Sequence, residues 1–65
     1  MNFQLINERK RKKITQEQLC KEVGICRKTL SNIENGKDMH LTKGVMIKIS
    51  KILEVDIQTL FFHEN

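Results

Sequence analysis

Apolar residues recur along this chain at intervals of three and four, interrupted by residues that cap or break helices. That period predicts helices throughout and no sheet. The clearest stretch is Thr15 to Lys37, TQEQLCKEVGICRKTLSNIENGK. Thr15 is an N-cap, and Gln18, three residues on, completes a capping box. Leu19, Cys20 and Val23 give this helix one apolar face, and Gly24 supplies the left-handed residue that ends it. Ile25 then turns inward and Cys26 takes the next cap position. Leu30 and Ile33 form the inward side of a second short helix, which Gly36 ends. Arg27, Lys28, Ser31 and Asn32 are left facing outward on its first turns.

The same period extends to both sides. Asn2 to about Lys12 reads as a helix capped by Asn2, with Phe3, Leu5, Ile6 and Arg9 as candidates for its inward side. The basic run from Arg9 to Lys13 suits a helix C-terminus, where cations complement the dipole. Lys10 or Lys13 is also placed to meet a phosphate. From Lys37 to Leu41 the chain loops, and the segment DMH is a candidate for a further groove or backbone contact. Thr42 caps a fourth helix, KGVMIKISKIL, with Met46, Ile49 and Leu53 on one face and the small Ser50 beside them. Glu54 stands where a helix-ending glycine or asparagine is expected. Val55 packs inward, Asp56 caps a last short helix, IQTLFF, and Leu60 closes the core. The expected architecture is all-α, a compact five-helix bundle over residues 1–65 as a single domain, with a helix-turn-helix at the second and third helices.

Composition narrows what such a bundle does. With 65 residues and no proline, the chain is near the lower size limit for folding without disulfides or metal. Its net charge of +4 and basic pI of about 9.3 fit a polyanionic partner, nucleic acid first. Charge alone does not separate DNA from RNA or anionic lipid. The few aromatics, 5% of the chain, argue against the stacking platforms of single-strand and RNA binders. No apolar run is long enough to span a membrane and no signal-peptide pattern opens the chain, so a cytoplasmic location is expected. A helix held outward with Arg27, Lys28 and Asn32 on its leading turns fits the major groove of double-stranded DNA. There Arg or Lys donates to guanine O6 and N7, and Asn pairs with adenine N6 and N7. The alternative is an ordinary helical hairpin with a solvated charged face.

Other chemistries find little support. Cys20, Cys26, His40 and His63 have no metal-ligand spacing, so no metal and no cofactor are expected. No nucleophile lies near a base, no carboxylates pair in a cleft, and no glycine loop cradles phosphate, so no catalytic residues are expected either. Cys20 reads as a small core residue. Cys26 lies beside the proposed DNA surface, where its oxidation would weaken binding.

The residues from Thr15 to Lys37 resemble the helix-turn-helix of phage repressor and Cro-type regulators, the XRE family. The resemblance rests on Thr15-Gln16, Leu19, the small Cys20, Val23-Gly24-Ile25, Thr29-Leu30-Ser31 and Ile33-Glu34-Asn35-Gly36-Lys37, and extends from about Leu5 to Phe61. It implies a lambda-repressor-like bundle. By position it assigns base contacts to Arg27, Lys28 and Asn32. Backbone contacts fall to Gln16, Thr29, Ser31, Asn35 and Lys37. It further implies a partly buried ion pair between Arg9 and Glu34 that locks the first helix against the end of the third. Three departures stand out. Glu8 replaces a residue that is often apolar, Lys13 replaces a frequent glycine, and Cys26 takes a cap position usually held by Ser or Thr. Strain is expected at Lys13 and a weaker cap at Cys26.

Ile52, Ile57, Phe61 and Phe62 are more apolar surface than a monomer of this size needs to expose. They are the expected interface of a homodimer, which would read an inverted repeat with half-sites about one helical turn apart. The overall expectation is a sequence-specific transcriptional regulator, more often a repressor. Two other classes compete: an antitoxin binding a toxin through Phe61 and Phe62, and a pure protein-interaction module. Copurification with an unrelated protein distinguishes the first, and loss of DNA binding with retained partner binding the second.

Overall fold

The computed structural model describes residues 2–37 and 41–62, so the DMH segment and His63 lie outside the described residues. Within them the chain forms five α-helices: α1 Phe3–Arg11, α2 Gln16–Val23, α3 Arg27–Glu34, α4 Lys43–Leu53 and α5 Ile57–Phe61. α2 packs against α3 and α4, α5 packs against α1 and α4, and α1 reaches α3. This is the lambda-repressor-like all-α arrangement expected from the sequence.

Local capping starts most of these helices. Thr15 and Gln18 form both halves of the capping box, and Thr42 Oγ1 accepts the N–H of Val45 at 3.2 Å. Asn2 does more than cap. Its Oδ1 accepts the N–H of Leu5 at 3.0 Å, its Nδ2 donates to the Leu60 carbonyl at 2.9 Å, and its main-chain N–H donates to the Glu34 carbonyl at 2.8 Å. One residue thus ties the start of α1 to the ends of α3 and α5. Asp56, expected to cap α5, makes no side-chain cap bond.

Leu5, Leu19, Leu30, Ile49, Leu53 and Leu60 are fully buried, and Cys20, Val23 and Ile33 complete the core. Truncating one such leucine costs about 2–5 kcal/mol, comparable with the whole stability of a domain this small. Two core expectations need correction. Phe3 is 63% exposed, because α1 turns Leu5 and not Phe3 toward the bundle. On α4 the inward stripe runs through Val45, Ile49, Ile52 and Leu53, while Met46 is only half-buried and stands outside it. Adjacent positions on a helix differ by about 100°, so Val45 and Met46 cannot share the face that packs against the core.

Among the described residues four turns rest on left-handed backbone, at Lys13, Gly24, Gly36 and Glu54. Gly24 has φ +84°, and a Cβ there would meet no atom within 4 Å, so the backbone angle alone calls for glycine. Lys13 and Glu54 each have φ +57° without being glycine. The strain expected at Lys13 is therefore present. Lys12 Nζ meets Glu54 Oε1 at 2.9 Å and joins these two turns. The hydrogen bond from Lys12, and then its charge, hold the Glu54 carboxyl below its ordinary range. That small contribution is present above the ordinary carboxylate pKa and is lost as pH falls through the lowered one. With Glu54 75% exposed, the pair adds little.

Backbone handedness makes two predictions of opposite sign. Gly24→Ala loses about 1 kcal/mol, since an L residue is penalised at this φ. Lys13→Gly gains up to about 1 kcal/mol, because relief of the same penalty exceeds the extra entropy of an unfolded glycine. Chemical denaturation of each variant without DNA checks both, and a loss at Lys13→Gly would mean that the lysine side chain holds the turn.

Candidate nucleic-acid interface

α3 is amphipathic along its whole length. Leu30, Ile33 and Glu34 face the bundle, and Arg27 and Lys28 are exposed on the first turn. Ser31 and Asn32 lie one turn further along the same outward side and are half-buried, as is Thr29. No hydrogen bond or ion pair among the described residues holds the side chains of Arg27, Lys28 or Asn32. Beyond the helix, Asn35 is its C-cap and Gly36 turns the chain with φ +85°. The N–H of Lys37 donates to the Asn32 carbonyl at 2.8 Å, which leaves the exposed Lys37 side chain next to the end of α3.

What holds α3 outward lies behind it. Glu34 is 5% exposed, and its Oε2 accepts from Arg9 Nε at 2.8 Å. Arg9 also donates through a terminal nitrogen to the Ile14 carbonyl at 3.0 Å. The expected ion pair between α1 and α3 is in place, and Arg9 is also anchored to the α1–α2 connection. Removing one member of such a buried pair typically costs about 3–5 kcal/mol, because the other charge is left without a partner. The second oxygen of Glu34 accepts from Gln16 Nε2 at 2.7 Å. Gln16 thus stands at the first position of α2 with its side chain drawn toward α3. Glu17, which the sequence reading passed over, lines an open cavity of about 430 Å³ with Arg9, Thr15, Gln16 and Arg27. Its place in the outward first turn of a capped helix was the available signal.

Cys26 opens α3 without a side-chain cap bond to the backbone, in keeping with the weaker cap expected there. Its Sγ lies 3.1 Å from Thr29 Oγ1. The Thr29 hydroxyl, and after it the nearby N–H groups of Thr29 and Lys28, lower the pKa of this exposed thiol. Burial raises that of Cys20, which lies in the core. Among the described residues, no three His, Cys, Asp or Glu side chains are grouped to hold a metal ion. No helix there is long and apolar enough to cross a membrane.

Of the expected dimer residues, Ile52 and Phe61 are half-buried and packed against the core. Ile57 is half-buried, and Phe62 is 58% exposed. Phe62 and Phe3 are the large apolar side chains that remain substantially exposed among the described residues.

Residues 5–60 fit the family model described as helix-turn-helix. No curated protein and no solved structure matches significantly.

The two thiols should separate in reactivity. Cys26 is expected to alkylate with iodoacetamide at a lower pH than an ordinary cysteine, while Cys20 stays unmodified until the domain unfolds. Mass spectrometry after timed labelling across pH 6–9 measures both, and equal labelling of the two would contradict the placement of Cys20.

Proposed function

The chain belongs to the helix-turn-helix family of Cro/CI-like, XRE-type DNA-binding regulators, and from that we propose that it reads the major groove of double-stranded DNA with α3 as a homodimeric transcriptional repressor. The observation that carries this reading is the outward, unpaired first turn of α3, with Arg27 and Lys28 exposed and the opposite side fastened by Glu34. Arg27 and Lys28 reach guanine edges and Asn32 an adenine edge. Thr29 and Ser31 meet the backbone at the margin of the site, and Asn35 and Lys37 hold phosphates beyond the helix end. Gln16 contributes through its main-chain N–H at the start of α2, where unfilled donors favour an anion. Phosphate contacts set affinity and register, and base contacts select the sequence.

One such unit covers only a few base pairs, so a useful operator calls for two. We place the dimer surface at Ile52, Ile57, Phe61 and Phe62, with Phe62 the member most available to a partner. Repression follows if the dimer occupies a promoter and excludes polymerase.

Base and phosphate contacts are expected to separate experimentally. Arg27→Ala and Asn32→Ala each weaken cognate binding by about 1–3 kcal/mol and relax preference at different base pairs. Lys37→Ala weakens binding to all sequences and lowers the salt slope by about one unit. Fluorescence anisotropy on selected and random duplexes reads both, and equal losses on the two for Arg27→Ala would remove it from the base contacts. For the assembly, Phe62→Glu is expected to shift sedimentation toward monomer with the helical signal intact. It is preferred to substitution of Phe61, which supports the core. An unchanged sedimentation profile would move the interface elsewhere.

A further inference from the structure

The basic run from Arg9 to Lys13 divides by what its side chains meet. Arg9 pairs with Glu34, Arg11 with Glu8 and Lys12 with Glu54. Lys10 and Lys13 are exposed, and neither ammonium has a partner among the described residues. Lys10 lies in the last turn of α1, where a cation suits the dipole, so the fold accounts for it. Lys13 holds φ +57°, an angle that glycine adopts at no steric cost. Glu54 carries the same angle, but its carboxylate meets Lys12, whereas the charge of Lys13 meets nothing in the fold. The main chain around Lys13 is fixed. Its N–H donates to the Lys10 carbonyl at 2.9 Å, the N–H of Ile14 donates to the Arg9 carbonyl at 3.0 Å, and Arg9 Nη1 donates back to the Ile14 carbonyl at 3.0 Å. The same Arg9 lines the open cavity with Gln16 and Arg27, so this turn borders the face that α3 presents. Backbone strain that the fold does not repay collects at functional positions.

We propose that Lys13 is a phosphate contact of the docked domain, and that its turn is kept free of glycine for the sake of that charge. Lys13 then anchors the α1–α2 connection, while Asn35 and Lys37 anchor the far end of α3. Two anchors on separate elements fix how the domain is rotated about α3, which a grip at one end does not. An ammonium on a flexible stem is a point charge and asks no particular base geometry of its partner. The bonds around Lys13 hold its main chain in place, so only the side chain has to be ordered on docking. Stability and affinity are therefore opposed at this one position. Glycine relaxes the turn of the free domain and removes one cation from the release of counterions.

This inference rests on the docking of α3 proposed above, and the test separates the two. Affinities for selected and random duplexes are measured across a salt series for the native chain, Lys13→Gly, Lys13→Asn and Lys13→Arg, with Arg27→Ala and Lys37→Ala alongside. Denaturant unfolding of each free domain is measured in parallel. Glycine and asparagine both tolerate the left-handed angle and remove the charge, and arginine keeps the charge. Lys13→Gly and Lys13→Asn are expected to bind both kinds of duplex about three- to tenfold more weakly near 0.1 M salt, with the salt slope lower by about one unit. Lys13→Arg keeps the native slope, no Lys13 variant changes base preference, and Lys13→Gly unfolds at a higher denaturant concentration than the native chain. An unchanged slope in Lys13→Gly and Lys13→Asn, with the slope of Lys37→Ala lowered, would overturn the proposal and leave the docking of α3 standing. A lost preference at a single base pair, or a slope lowered equally in Lys13→Arg, would also overturn it, because the contact would not be one of charge with phosphate. Lower stability in Lys13→Gly would overturn the opposition of stability and affinity. If Arg27→Ala and Lys37→Ala both bind as the native chain does, the docking of α3 and the role of Lys13 fall together.

Discussion

The buried carboxylate of Glu34 is the constraint on which the arrangement depends. Removing a charge from water is costly unless it is paired and hydrogen-bonded, and here an arginine from α1 meets one oxygen and an amide from α2 the other. Glu34 is also the last residue of α3, and its main-chain carbonyl takes the N–H of Asn2. α1 and α2 therefore meet α3 at one residue through three donors, the Arg9 guanidinium, the Gln16 amide and the Asn2 N–H. The net energy of such a cluster is modest, because desolvation offsets most of the attraction. What it provides is uniqueness: any other rotation of α3 would leave a charge or an amide stranded in the interior. That is how a helix of eight residues, too short to be stable alone, keeps a fixed outward face.

Most of the fold was legible because its signals are local. Thr15, Gln18 and Thr42 declare helix starts through offsets of three residues, and Gly24 and Gly36 mark ends by their tolerance of positive φ. The apolar stripes of α2 and α3 follow the helical period closely enough to name Leu19, Val23, Leu30 and Ile33. The pairing of Arg9 with Glu34, 25 residues apart, came from family resemblance and not from pattern. Failures occurred where a partner had to be known. One turn of α1 offers Phe3, Leu5 and Ile6, and only the packing of α1 against the rest of the bundle decides that Leu5 enters. Likewise the period alone could not choose between Val45 and Met46 on α4. Gln16 was assigned outward on position, and nothing within α2 announces that its amide turns toward a carboxylate 18 residues away.

The non-glycine left-handed residues show how far this small scaffold departs from ideal turns without losing its shape. Lys13 and Glu54 both close helices where a glycine would sit more easily, and Lys12 links the second turn to the first. An exposed ion pair contributes little, so the core beneath must tolerate the strain. Fully buried Leu5, Leu53 and Leu60 lie on the elements adjoining those two turns and keep their spacing.

The start of α3 is weak by construction. It has no side-chain cap bond, no acidic residue in its first turn, and two cations, Arg27 and Lys28, at the end of the helix dipole that already carries positive charge. In the free protein this turn holds unmatched donors and like-signed repulsion. A duplex docked on α3 as proposed would bring a dense row of negative charge to the same place and relieve both. On that proposal part of the attraction for a polyanion is a deficit stored in the unbound helix, so an improved cap at Cys26 would make the domain sturdier while shrinking what docking has left to gain.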